Sequence, residues 1–466
     1  MTGNDHVEIG ALIDETGLTR FNIGLTVFAF FVMVFDGYDV SSLAFAGPSI
    51  IKTWHLANRG ILGPIFSASL LGMMFGAPIL GWVGDRAGRK AAVAIACVIM
   101  GAASLACSVS TELWQLVVLR FVTGLGMGGL APNMISLVAE YAPKRFRATM
   151  VICMYTGITL GGAVVGAVAA GLVAAFGWQV LFLIGGAGPL VMALLVTLFM
   201  PESVKFLATH RSGQRRIAAL VSRFAKTKFS PGTTFYLVDE AAGNAPAKRI
   251  TSPAFLFSKG LILATLSLWI CMAGGLMGYY FLMNWTPILF EQAHVAPSVA
   301  ALATTIFQIG GTVGGLTLSR LIDRRGVGAI AVLFLAAVPI IGTVGLLTDS
   351  KPLLFAGMFL AGFCALGIQF GVNAIASIVY PTYCRTYALG WAFAVGRVGA
   401  VVGPVVGGLI VELHIPIQVI FYVAAIPFAI GLIGSVMLGR AYSTMAASNR
   451  LSNGDIEMTS VIRCSN

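Results

Sequence analysis

The chain has 466 residues, of which 58% are hydrophobic and only 10% charged, where a soluble domain carries about 25% charged residues. With a mean hydropathy of +0.91 there is too little polar surface to cover soluble domains, so lipid must act as the solvent. The 56 glycines follow no three-residue period, which excludes collagen, and the apolar content excludes a disordered chain.

In chain order, Asp5, Glu8, Asp14 and Glu15 precede an apolar run that begins near Phe21. A secretory signal starts basic and has a shorter apolar region, so the first span is expected to be retained. A helix needs about 20 apolar residues to cross the hydrocarbon core. Twelve such runs can be marked, at 22–45, 60–83, 91–109, 113–139, 148–173, 179–200, 260–285, 298–320, 329–348, 353–379, 386–411 and 417–439. They are too long and too uniformly apolar for barrel strands, which alternate over about 10 residues. The expected fold is therefore an all-α integral membrane protein with twelve transmembrane helices.

The charges give the expected orientation. Of the 29 Lys and Arg, 24 fall on segments that share one side if the spans alternate, Lys52, Arg59 and Lys351 fall on the other, and Arg120 and Arg397 lie within spans. The positive-inside rule then puts both termini in the cytoplasm. The net charge of +11 reflects this topology, and no nucleic-acid partner is expected.

A polar stretch divides the chain into an N-terminal six-helix bundle (1–200), a cytoplasmic central loop (201–258), a C-terminal six-helix bundle (259–440) and a cytoplasmic tail (441–466). Sliding the second half over the first by 238 positions pairs Gly72 with Gly310, Gly76 with Gly314, Asp85 with Asp323, Arg86 with Arg324 and Arg147 with Arg385. Chance supplies glycine matches easily, but charged matches at one offset are much harder to obtain. The offset implies two halves of the same topology, related by an axis along the membrane normal.

These features resemble the major facilitator superfamily. The run Gly81-Trp82-Val83-Gly84-Asp85-Arg86-Ala87-Gly88-Arg89-Lys90 looks like its loop signature between helices 2 and 3, with a weaker copy at Arg320-Leu321-Ile322-Asp323-Arg324-Arg325-Gly326. Arg120 to Gly126 resembles its helix 4 signature, and Pro201-Glu202-Ser203 the sequence that closes helix 6 in several subfamilies. Asp36-Gly37-Tyr38-Asp39, then Glu140 with Pro143 and Arg147, and Gly396-Arg397-Val398-Gly399 before Gly403-Pro404 resemble the aromatic acid:proton symporters. The resemblance implies import of a benzoate- or hydroxybenzoate-like carboxylate with protons, by alternating access. It also implies a monomer in a bacterial inner membrane, with no cofactor beyond the proton gradient. The alternatives are a transporter of another organic anion or sugar acid, or a drug:proton antiporter. Against the antiporter, Gly157-Ile158-Thr159-Leu160-Gly161-Gly162-Ala163 lacks the Gly-Pro step expected in helix 5.

Asp36 and Asp39 are three apart, which puts both carboxylates on one helical face about 5–6 Å from each other. At that distance two charges repel by roughly 3 kcal/mol at an effective dielectric near 20, so the pair is the expected proton-coupling site. The alternative is that Asp39 only ties a neighbouring helix. Arg397 cannot lose its proton, and its planar fork suits a carboxylate; it binds either the substrate or an acid of helix 1 or 4. Arg120 is read equally as a substrate ligand or as half of a structural pair.

Asp85, Arg86, Gly88, Arg89, Glu140 and Arg147, with Asp323 and Arg324 in the second half, form an expected gating cluster whose ion pairs exchange between conformations. Tyr38, Trp391, Gln308 and Asn373 are candidate walls and polar contacts for the substrate, with Trp269, Trp285 and Gln369 as further candidates. No metal site is expected, because the seven Cys and five His show no ligand spacing. No nucleophile paired with a base is visible either, so no enzyme is expected.

Overall fold

The computed structural model describes residues 6–209, 214–222, 234–236, 256–258, 261–325, 328–379, 385–413 and 415–463. Short α1 (Ile9–Thr16) leads into the six long helices of the first half: α2 (Arg20–Thr53), α3 (Leu62–Ala87), α4 (Arg89–Ser108), α5 (Leu113–Tyr141), α6 (Arg147–Phe176) and α7 (Gln179–Phe199). Two short helices, α8 (Val204–Thr209) and α9 (Gln214–Val221), follow in the central segment. The second half contributes α10 (Ile262–Gln292), α11 (Pro297–Arg325), α12 (Gly328–Thr343), α13 (Lys351–Val379), α14 (Arg385–Glu412) and α15 (Ile417–Arg463). A parallel pair of three-residue strands, β1 (His6–Glu8) and β2 (Thr234–Tyr236), joins the N-terminus to the central segment. Among the described residues, twelve helices are long and apolar enough to cross a membrane.

Each expected span falls on one of these helices and several helices overrun it, but the span expected at 329–348 outruns α12, which ends at Thr343 and continues as a 3-10 turn over Val344–Leu346. α2 continues through Pro48 to Thr53, and α15 carries the expected tail as helix to Arg463. The molecule shows its apolar side chains outward. Phe199 is 69% exposed and Leu198 62%, which in water would be an aggregating patch and in a bilayer is the solvated surface.

The interior is closed by glycine seams. A Cβ at Gly72 or Gly76 of α3 would fall on the carbonyl oxygens of Phe121 and Leu125 in α5. At the same offset of 238, Gly310 and Gly314 of α11 press on Phe359 and Phe363 of α13. Likewise Gly161 of α6 meets the carbonyl of Val34 in α2, and Gly399 of α14 that of Ala273 in α10. The repeat read from the sequence is thus reproduced as backbone-to-backbone contact, the packing that small residues permit in lipid.

By contacts the chain forms two compact units. The first holds Met1–Pro246 together with Met283–Ile309 and Pro404–Leu413; the second holds Ala247–Leu282, Gly310–Gly403 and His414–Asn466.

Candidate functional site

Inside the first unit, α2 carries Asp36 and Asp39 in mid-span, 2% and 0% exposed. The Arg120 guanidinium of α5, also 0% exposed, donates from Nη1 to Asp39 Oδ2 at 2.8 Å and from Nη2 to the Asp39 carbonyl at 3.0 Å. Ser104 of α4 donates to the other carboxylate oxygen at 2.6 Å. Three helices are therefore tied at one carboxylate. Phe182 of α7 lies under the guanidinium, 5.8 Å from its carbon. The Tyr38 ring fills the space beside Gly185 of α7 and Ser104, and is 1% exposed.

Burying such a pair is favourable only when its remaining polar atoms are satisfied. Two atoms beside it, Arg120 Nε and Tyr38 Oη, have no hydrogen-bond partner among the described residues. Native proteins leave few buried polar groups unsatisfied, and ordered water commonly completes those that remain. Gln308 of α11 belongs to the same unit: a Cβ on Gly162 of α6 would strike its amide nitrogen, with the Ser41 hydroxyl nearby. The structure thus brings Tyr38, Asp39 and Arg120 together.

At the end where α3 meets α4, Asp85 accepts from Arg89 at 2.5 Å, and Arg89 also donates to Asn133 Oδ1 of α5 at 3.2 Å. Arg86 stacks over Trp82, 4.3 Å from the ring centre. Gly88 turns the chain with φ +99°, a conformation that side chains avoid, and a Cβ there would meet the Glu202 carboxylate. Glu202 accepts from the Lys90 backbone at 3.2 Å, so it caps the N-terminus of α4, where negative charge is favoured. Glu140 accepts from the Ser203 hydroxyl at 2.5 Å. Arg147 opens α6 and is half-buried. The backbone of Asp323 and Arg324 lies in α11, and their side chains fall outside the described residues.

The second unit holds Arg397, half-buried in α14. Trp391 stacks on Trp269 at 6.4 Å, and Asn373 accepts from Gln369 at 3.4 Å. Trp285 belongs to the first unit, where it is fully buried and donates to the Pro404 carbonyl at 3.0 Å.

Sequence reasoning did not single out Ser104 or Asn133, and it read Glu202 and Ser203 only as part of a motif. A polar residue inside an apolar run was the available signal for Ser104 and Asn133, but serine and asparagine there also satisfy themselves on their own helix.

The model of the Major Facilitator Superfamily matches residues 29–293 and 268–455. The chain belongs to the major facilitator superfamily. As a superfamily member it is a transporter and a multi-pass membrane protein. It is 33% identical to the 4-hydroxybenzoate transporter PcaK of Acinetobacter baylyi, over 92% of this chain and 93% of that one. It is equally 33% identical to a gallate transporter of Pseudomonas putida, over 90% and 92%. Among solved structures it matches the xylose transporter XylE of Escherichia coli with a TM-score of 0.69, covering 91% of this chain and 98% of that one at 15% identity; that likeness concerns the fold.

Proposed function

We propose that this transporter imports an aromatic carboxylate together with protons across a bacterial inner membrane, by alternating access of its two six-helix halves, with both termini in the cytoplasm. The observation that carries the reading is the fully buried Asp39–Arg120 pair with Asp36 on the same helix. It joins relatives of 33% identity whose names state 4-hydroxybenzoate and gallate transport.

The coupling follows from charge balance. While Asp39 is ionised, it neutralises Arg120. When Asp36 already carries a proton, a second one taken up on Asp39 leaves the Arg120 charge unmatched in a low-dielectric bundle, which is costly, and an arriving carboxylate restores the balance. Proton and anion then favour each other's binding, and the linkage is reciprocal. Arg397 is proposed to grip the carboxylate through its two-pronged fork. Gln308, Asn373, Tyr38 and Trp391 are proposed as contacts for the ring and its substituents. Asp85, Arg86, Gly88, Arg89, Glu140, Arg147, Asp323 and Arg324 are proposed to switch between paired and open arrangements at the cytoplasmic end.

The test is uptake of radiolabelled 4-hydroxybenzoate and benzoate into proteoliposomes with an inward proton gradient, with and without a protonophore. Accumulation that the protonophore abolishes is expected, together with its loss in Asp36→Asn and Asp39→Asn. Absence of uptake for every aromatic acid tried removes the substrate class and leaves the fold in place.

A further inference from the structure

The end of the first unit away from Asp85 carries a second charged arrangement, apart from the coupling cluster. Here α2 and α10 terminate, and their last turns occupy the same place in the two repeats. At an offset of 239, Pro48 matches Pro287, Lys52 matches Glu291 and His55 matches His294. Both histidines end the run in the left-handed region, at φ +49° and +59°. The correspondence breaks at one point, the sign of the charge. Lys52 and Glu291 form an ion pair. Two repeats meeting at equivalent positions with equal side chains would oppose like charges; opposite charges make the meeting attractive.

A cavity of about 540 Å³ opens beside the pair, within the size range of small-molecule sites. Its walls are apolar, with Phe45 of α2, Ala169 and Val173 of α6 and Ala300 of α11, while Lys52 and Glu291 stand among its lining groups. The Lys52 side chain is 65% exposed and that of Glu291 19%, so water reaches the pair. A smaller cavity of about 310 Å³ shares both residues and adds Arg59 and His294. Lys52 and Arg59 are two of the three Lys and Arg on the sparsely charged side of the chain. A flat apolar ring with one anionic end fits this arrangement, with the ring on the walls and the carboxylate at Lys52.

Several other contacts at this end are ones for which an anion does not compete. Gly60 and Gly408 touch backbone to backbone, Gly47 packs against Ile288 and Leu62, and Phe66 meets Trp285 edge to face. The ion pair is a contact that an anion does compete for.

We propose that the cavity beside Lys52 is an admission site for an organic carboxylate, and that the incoming anion takes the place of Glu291 on Lys52 and so loosens this end. The anion part rests on the function proposed above; the closing role of the pair is tested without any substrate.

The reporter is Leu62→Cys, a position 0% exposed in this closed arrangement, labelled with a membrane-impermeant maleimide and counted above the full-length parent. Expected are at least threefold faster labelling in Glu291→Gln and in Lys52→Gln, and a return to the parental rate in the charge swap Lys52→Glu with Glu291→Lys. Unchanged labelling in both single variants overturns the closing role, as does a swap that labels as fast as they do. With Glu291 in place, 4-hydroxybenzoate is expected to speed labelling where phenol does not, and Lys52→Gln is expected to remove that response and raise the KM for uptake at least fivefold. Equal responses to the acid and to phenol overturn the admission site. If the parent takes up no aromatic acid while the single variants and the swap behave as described, the proposed substrate and the anion's part fall, and the ion pair stands as the closing contact.

Discussion

Asp39 is held by a guanidinium that forks over both its carboxylate and its own carbonyl. Lysine has the charge but not the fork, so Arg120→Lys keeps neutrality and loses one of the two contacts. Removing the cation with Arg120→Ala leaves a buried carboxylate uncompensated, a change worth about 3–5 kcal/mol in buried pairs. A large drop in the yield of monodisperse protein and in its melting temperature is therefore expected. The double change Asp39→Leu with Arg120→Met replaces the pair by apolar side chains. It should recover melting to near the parental value while uptake stays absent, and recovery of uptake as well would show the pair to be scaffolding. The spacing of Asp36 and Asp39 was legible because helical period alone puts them on one face. Their partner was not, since Arg120 lies 81 residues away and meets Asp39 only once α2 and α5 pack. The repeat gives no help here: Asp36 and Asp39 match Gly275 and Gly278 at the offset of 239 that relates α2 to α10, and Arg120 matches Met358 at 238, so the charge cluster belongs to the first half alone.

Between helices, glycine decides how closely backbones approach. Gly161→Ala puts a methyl group on the Val34 carbonyl, and overpacking of this kind costs about 1–3 kcal/mol. Gly81→Ala, in the loop motif, meets nothing within 4 Å. Thermal melting in detergent should therefore fall for the first and hold or rise slightly for the second, because alanine is the better helix former. At Gly88 two penalties combine, a φ of +99° and the Glu202 carboxylate where a Cβ would sit. Gly88→Ala is expected to lower melting and uptake together. Glu202→Gln removes only the charge that caps α4, and a smaller loss is expected, of the 0.3–1 kcal/mol order typical of charges at helix ends. The glycines of this motif were visible in the sequence, but the reason for Gly88 was not, because Glu202 reaches it from beyond α7.

Under the proposed alternating access, the end joined by the Lys52–Glu291 pair opens during transport. Cysteines at both positions, joined by a short bifunctional maleimide or by oxidation, should reduce uptake by more than tenfold, with reductant restoring it after oxidation. Full uptake by the cross-linked protein would mean that this end does not move. The two compact units do not follow chain order, because Met283–Ile309 and Pro404–Leu413 of the second half pack with the first. These pieces carry Glu291, Trp285 and the Gly408 seam.

The sequence by itself determined the lipid environment, the twelve spans, the internal repeat and the positions of the in-span charges. All of these follow from local hydropathy, helical period and residue counts, which need no knowledge of what touches what. Only the tertiary structure decided that Arg120 belongs to Asp39, that Glu202 caps α4, and that Lys52 meets its repeat counterpart as an ion pair. Each of these contacts joins residues far apart in the chain, and their meeting depends on how close the glycine seams let the backbones come.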